Sequence, residues 1–236
     1  MERKSAFETA VLFVEHYFPN CSAAILAGSV VRKEATSTSD LDIVIIDDTM
    51  DHSYRESLVA FGWPIELFVH TTTSYSSFFA MDAASGTPHL PRMVAEGSII
   101  RDNGIVSVMQ TEAQQIIANG PAVWSDQTIK IQRYTLTDLV DDFIGATTRQ
   151  EAICIVLSLA ATLHEFYLRI NDQWVGESKW IYRELKRYDQ GFAERYIHAL
   201  ESFYKKGEKK PLIDLVDEVL APYGGRLFEG FSLGKE

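Results

Sequence analysis

The segment Leu26–Ile46, LAGSVVRKEATSTSDLDIVII, joins a Gly-Ser pair through a polar loop to two aspartates. Its last residues, LDIVII, have the β-branched density of a buried strand. Successive side chains of a strand point to opposite faces, so Asp40 and Asp42 should share a face while Leu41 points into the sheet. Two neighbouring carboxylates repel each other unless a cation lies between them. The segment therefore predicts a divalent metal site at the start of a strand.

A third acidic residue lies in the next predicted strand, Ile65–His70. Glu66 is surrounded by apolar residues in the stretch WPIELFVH, residues 63–70. An acid in such a strand is costly unless it is paired or binds a ligand. We therefore expect Asp40, Asp42 and Glu66 to converge on one edge of the sheet as catalytic metal ligands.

Gly28 and Ser29 supply the other half of the predicted chemistry. Glycine allows a tight turn and a close approach to a ligand, and the amides that follow it can form an anion-binding nest with the Ser29 hydroxyl. A phosphate nest beside metal-binding carboxylates indicates phosphoryl chemistry. We therefore expect Mg²⁺ as the cofactor and ATP or another nucleoside triphosphate as the co-substrate.

Together, these residues resemble the signature of the nucleotidyltransferase superfamily, which has the polymerase-β-like fold. That signature is an apolar residue, Gly-Ser, a loop, Asp-x-Asp in a strand, and a third acid on a later strand. The resemblance covers roughly residues 22–70. It implies an α+β fold with a mixed sheet and flanking helices, metal binding by Asp40, Asp42 and Glu66, and nucleotide binding by Gly28 and Ser29.

Two halves of similar length are predicted, a nucleotidyltransferase catalytic domain over 1–120 and an all-helical substrate-binding domain over 121–236. In the first half, residues 5–18 and 52–61 are predicted as helices, and 22–27, 41–46, 65–70 and 98–102 as strands. In the second half, helices are predicted over 136–146, 149–170, 179–188, 191–206 and 211–220. This arrangement resembles the small antibiotic-modifying nucleotidyltransferases, such as kanamycin nucleotidyltransferase, whose substrate lies between the halves and whose base is an acid of the helical domain.

Asp142 is the candidate for that base, because it lies deepest in the predicted helix that carries Asp138, Asp141 and Asp142. The alternative is that these acids interact favourably with the dipole at a helix N-terminus. Lys179 follows a Gly and a Ser that could start a helix, so its ammonium group could bind the triphosphate. The alternative for Lys179 is a surface position with its stem on an indole ring.

His70 shares a strand face with Glu66, and the choice between a residue lining the cleft and a structural histidine stays open. Cys21 and Cys154 lie in apolar surroundings, which predicts two reduced core thiols and a cytoplasmic protein. No apolar run reaches the roughly 18 residues of a membrane span, so no membrane partner is expected.

The chain of 236 residues carries a formal net charge of −11, which argues against a nucleic acid as the main partner. The predicted function is Mg²⁺-dependent transfer of a nucleoside monophosphate from a nucleoside triphosphate to a hydroxyl of a small molecule. An aminoglycoside-like antibiotic would suit the acidic chain. The alternative is a non-catalytic or regulatory protein of the same fold, such as a toxin–antitoxin component acting on a protein partner. A homodimer stays among the expectations, because the helical half could bind its substrate alone or with a second subunit.

Overall fold

The computed structural model describes residues 4–235, which divide into two units with the boundary between Pro121 and Ala122. The boundary predicted from the sequence lies one residue earlier. Each unit has a hydrophobic core made of its own residues.

The first unit is built on a five-stranded sheet with the strand order β3-β4-β2-β1-β5. β2 and β4 run parallel, and the other neighbouring pairs are antiparallel. The sheet is therefore mixed, which confirms the predicted fold class. The strands are β1 (Ala23–Ala27), β2 (Leu41–Ile46), β3 (Tyr54–Ala60), β4 (Trp63–His70) and β5 (Ser98–Asp102).

Helices cover both faces of this sheet. Alternation along β2 sends Ile43 to a core that includes Phe13 of the first helix, and sends Val44 to a second core that includes Phe79 and Met109. Asp42 has the same parity as Val44 and therefore lies at the end of the second face. The helices are α1 (Ala6–Tyr17), α2 (Tyr75–Ser85), α3 (His89–Glu96) and α4 (Val106–Asn119).

The helix predicted over residues 52–61 is wrong, because Tyr54–Ala60 forms the edge strand β3. Phe61 and Gly62 form a two-residue turn with φ values of +52° and +78°, and Ala60 pairs with Trp63 across it. Two successive residues with positive φ are typical of a tight β-hairpin. β3 has one sheet neighbour and is largely exposed, so its sequence lacks the apolar density of an inner strand.

The second unit contains five α-helices within the described residues, followed by a short 3₁₀ turn at Ala221–Tyr223. The first of them begins at Asp126 after the cap Ser125, whose side chain accepts a hydrogen bond from the Thr128 amide. The predicted start at residue 136 was therefore ten residues too late, because polar residues fill the first turns. The helices are α5 (Asp126–Gly145), α6 (Arg149–Arg169), α7 (Lys179–Tyr188), α8 (Gln190–Lys206) and α9 (Lys210–Leu220).

Among the described residues, α6 is the one helix that is long and apolar enough to cross a membrane by length and composition. Its inner face, with Val156 and Leu163, belongs to the core of the second unit, as in the core helices of soluble proteins. Cys154 is exposed on α6, so its prediction as a core thiol is wrong, whereas Cys21 is buried as predicted.

Candidate active site

Asp40, Asp42 and Glu66 converge at one end of the central strands. Asp42 and Glu66 are direct partners in the parallel pairing of β2 and β4, and Asp40 immediately precedes β2. One carboxylate oxygen from each of the three residues lies within 4.8 Å of the others, and all three side chains are half-buried. The sheet thus brings together three acids that are up to 26 positions apart in the sequence.

The electrostatics of Asp42 favour a bound cation. Burial and, to a smaller extent, the negative charges of Asp40 and Glu66 raise the pKa of the Asp42 carboxyl to about 6, against the opposing effect of Arg32 and Arg55. A divalent cation would stabilise the ionised carboxylates. Three converging carboxylate oxygens are also the ligands that Mg²⁺ prefers, so the residues present fit this ion.

Glu66 already has a positively charged partner. Nη2 of Arg55 lies 2.5 Å from Oε1 of Glu66, and the Ser57 hydroxyl donates to the same oxygen at 3.3 Å. Arg55 and Ser57 both belong to β3, where Ser57 is the register partner of Glu66. Sequence reasoning missed Arg55 because it placed this segment in a helix. The Phe61-Gly62 turn between two runs of strand-forming residues is the signal that could have found it.

Gly28 lies directly against the acidic group. Its φ of +79° favours glycine, and an added Cβ would lie 1.9 Å from Oδ2 of Asp42. This close approach follows from the antiparallel pairing of β1 and β2, in which Ala27 is opposite Asp42. The absence of a side chain at residue 28 therefore leaves room for the Asp42 carboxylate.

Ser29 begins the loop that connects β1 to β2. Its hydroxyl donates to the Ser39 hydroxyl at 3.1 Å, and Ser39 also accepts a hydrogen bond from the Thr36 amide. The two ends of the polar loop are thereby tied together beside Asp40. A phosphate-binding role of Gly28 and Ser29 stays a prediction.

The two predicted site residues of the second unit are both exposed. Asp142 lies in the last turn of α5, which ends at Gly145. The alternative that it interacts favourably with a helix N-terminus is therefore wrong, because the C-terminal end of a helix disfavours an acid. Lys179 is the first residue of α7, as predicted from the preceding Ser178. The roles of Asp142 as a base and of Lys179 as a triphosphate ligand stay predictions.

His70 is buried at the end of β4, on the same face as Glu66. Nδ1 of its ring lies 3.3 Å from the Ser53 hydroxyl, and the ring makes an edge contact with Phe78. Burial lowers the pKa of His70 to about 4, so the ring is neutral at pH 7.

No family model and no curated protein sequence matches the chain. Among solved structures, the chain is similar to a nucleotidyltransferase-like protein from Exiguobacterium sibiricum. The two share 11% sequence identity with a TM-score of 0.48, over 92% of this chain and 74% of that chain. The resemblance to the antibiotic-modifying members stays a prediction.

Proposed function

We propose that the protein transfers a nucleoside monophosphate from a nucleoside triphosphate, such as ATP, to a hydroxyl group of a small molecule in an Mg²⁺-dependent reaction. The observation that supports this proposal is the convergence of Asp40, Asp42 and Glu66 within 4.8 Å, directly against Gly28. A bound cation would relieve the repulsion between these three carboxylates.

Each residue has a definite role in this reaction. Asp40, Asp42 and Glu66 would hold Mg²⁺, which when bound supplies positive charge to the phosphate oxygens. The backbone at Gly28 and Ser29 would bind the leaving pyrophosphate, and Lys179 would bind the triphosphate. The acceptor oxygen forms a bond to the α-phosphorus, the bond from that phosphorus to the pyrophosphate oxygen breaks, and the hydroxyl proton goes to a carboxylate, for which we propose Asp142.

We propose that the acceptor is a small molecule that carries a hydroxyl group. The net charge of −11 is the observation in favour of a polycation such as an aminoglycoside, but it describes the whole chain. At the site itself, Arg55 adds a positive charge beside Glu66. We also propose a cytoplasmic protein without a membrane partner, and the net charge of −11 disfavours a nucleic acid partner. The converging acids favour catalysis over a regulatory role.

The proposal is tested by titration of Mg²⁺ with each nucleoside triphosphate, followed by measurement of pyrophosphate release with a panel of hydroxyl-bearing acceptors. The double variant Asp40→Asn/Asp42→Asn should fold and release no pyrophosphate. Asp51→Asn, which removes an exposed acid outside the site, is the matched control and should behave like the parent protein. Activity that persists in the double variant would show that the metal assignment is wrong.

A further inference from the structure

A cavity of about 320 Å³ lies within the first unit, on the same side of the sheet as the acidic residues. Its walls come from β3 and β4 on one side and from α2 and α3 on the other. The residues that line it include Arg55, Phe68, His70, Phe78, Leu90 and Met93. This volume lies within the range of sites for small organic molecules.

The cavity lies next to the candidate active site along β4, and Arg55 of its lining pairs with Glu66. Glu66, Phe68 and His70 are two positions apart in β4 and therefore share one face of the sheet. The cavity lining begins at Phe68, about 7 Å along the strand from Glu66. Arg55 connects the two places, because its guanidinium pairs with Glu66 and lies 5.1 Å over the ring of Phe68.

The accessible surface of the lining is mostly apolar, and His70 is a polar group of this lining with unused hydrogen-bonding capacity. His70 is 5% exposed, and its Nδ1 is engaged by Ser53. Within residues 4–235, Nε2 of His70 has no hydrogen-bond partner. A ligand in the cavity would satisfy this nitrogen with a hydrogen bond. The cavity thus offers aromatic and aliphatic surface, with Arg55, Asp82 and the neutral His70 among its polar side chains.

The position of the cavity favours the acceptor over the nucleoside triphosphate as the molecule that it binds. The strand order places Gly28, at the end of β1, on one side of Asp42, and places Glu66 and the cavity on the other side, toward β3. In phosphoryl transfer, the attacking and leaving oxygens lie in line on opposite sides of the phosphorus. If the pyrophosphate leaves toward Gly28 and Ser29, the attacking hydroxyl approaches from the side of Glu66 and the cavity.

We propose that this cavity binds the flat, uncharged aromatic body of the acceptor, whose hydroxyl group is the nucleophile. The proposal rests on the proposed function and narrows its substrate class. Arg55 beside the cavity disfavours a polycation. The lining carboxylate, Asp82, accepts a hydrogen bond from the Leu90 amide at 2.7 Å, so one of its oxygens is already engaged.

The first experiment measures the binding of 2-naphthol to the full chain by equilibrium dialysis, without Mg²⁺ or nucleotide. Phe78→Ala removes a cavity wall from the surface of α2 and should weaken binding at least fivefold. The matched control is Met81→Ala, which changes an exposed apolar residue of the same helix outside the cavity lining and should leave binding within twofold. Absence of binding, or equal losses in both variants, would overturn the proposal while leaving Mg²⁺–nucleotide binding as a separate test of the proposed function.

The second experiment identifies which substrate uses the cavity. Saturating Mg²⁺–ATP should leave 2-naphthol binding unchanged, and phenolic acceptors should release pyrophosphate faster than aminoglycosides do, with the advantage lost in Phe78→Ala. Competition between 2-naphthol and Mg²⁺–ATP would assign the cavity to the nucleobase and overturn the proposal, as would a preference for aminoglycosides. Binding of 2-naphthol by a chain that binds no Mg²⁺–nucleotide pair would refute the proposed function and the acceptor role with it.

Discussion

Gly28 and Asp42 approach each other so closely that a Cβ atom on residue 28 would lie 1.9 Å from the Asp42 carboxylate oxygen. An alanine with a left-handed backbone conformation costs about 1 to 2 kcal/mol. Gly28→Ala should lower the free energy of unfolding by more than this, because Asp42 must also move. Urea unfolding measures this loss, and titration calorimetry should show weaker Mg²⁺ binding.

Gly104→Ala is the control for Gly28→Ala, because Gly104 has a φ of +99° but no atom within 4 Å of an added Cβ. It should show the backbone effect alone and leave Mg²⁺ binding unchanged. Equal behaviour of the two variants would contradict a special relationship between Gly28 and Asp42.

Asp42→Asn should increase the stability of the metal-free protein at pH 7 while abolishing Mg²⁺ binding. The folded-state pKa of Asp42 is raised from 3.8 to about 6, so its ionisation opposes folding. The free energy of unfolding of the parent protein should therefore fall by up to about 3 kcal/mol as pH rises from about 4 to above 6. The variant should not show this decrease. Urea unfolding at pH 3.5 and pH 7.5 measures the difference. A variant less stable than the parent at pH 7.5 would contradict the electrostatic account of the site.

Arg55→Gln should strengthen Mg²⁺ binding by about tenfold, because the guanidinium now pairs with Glu66 and repels a cation at the same carboxylate. Titration calorimetry at low ionic strength measures the change, which should shrink at high salt. Arg195→Gln removes a comparable ion pair in the second unit and is the control. Weaker Mg²⁺ binding in Arg55→Gln would instead show that Arg55 holds Glu66 in position for the metal.

Asp142→Asn should lower turnover by about 10²-fold or more with little change in nucleotide affinity, as expected for the loss of a general base. Single-turnover kinetics separates the two quantities. Asp138→Asn, an exposed acid one turn earlier in α5, is the matched control. If turnover is unchanged in Asp142→Asn, the carboxylate is an exposed surface group.

The predictions that depended on local pattern agree well with the structure. The strand Leu41–Ile46 has the predicted bounds, because a dense run of β-branched residues leaves few alternatives. The helix after Ser5 was recognisable from its capping residues, and the side chains of Ser5 and Glu8 form the capping box. α7 likewise begins and ends as predicted.

The errors lie where local pattern carries little information. β3 is exposed on an edge, so tertiary pairing with β4 rather than apolar density decides its conformation. The first turns of α5 are polar and were missed for a related reason. The contact of Arg55 with Glu66 could not be predicted from the residue type or the neighbours of Arg55, because it exists only after the hairpin forms.

By itself, the sequence determined which residue types make up the candidate site: a glycine at a tight turn, two acids two positions apart, and a third acid in a later strand. Alternation along a strand is a local property, so the spacing of Asp40 and Asp42 was enough to predict that the two side chains lie on one side. Only the tertiary structure decided that Glu66 meets them through the parallel register, that Arg55 neutralises Glu66, and that a cavity opens beside it. Those relationships depend on hydrogen bonds between strands and on packing between distant segments, which the order of residues within one segment does not specify.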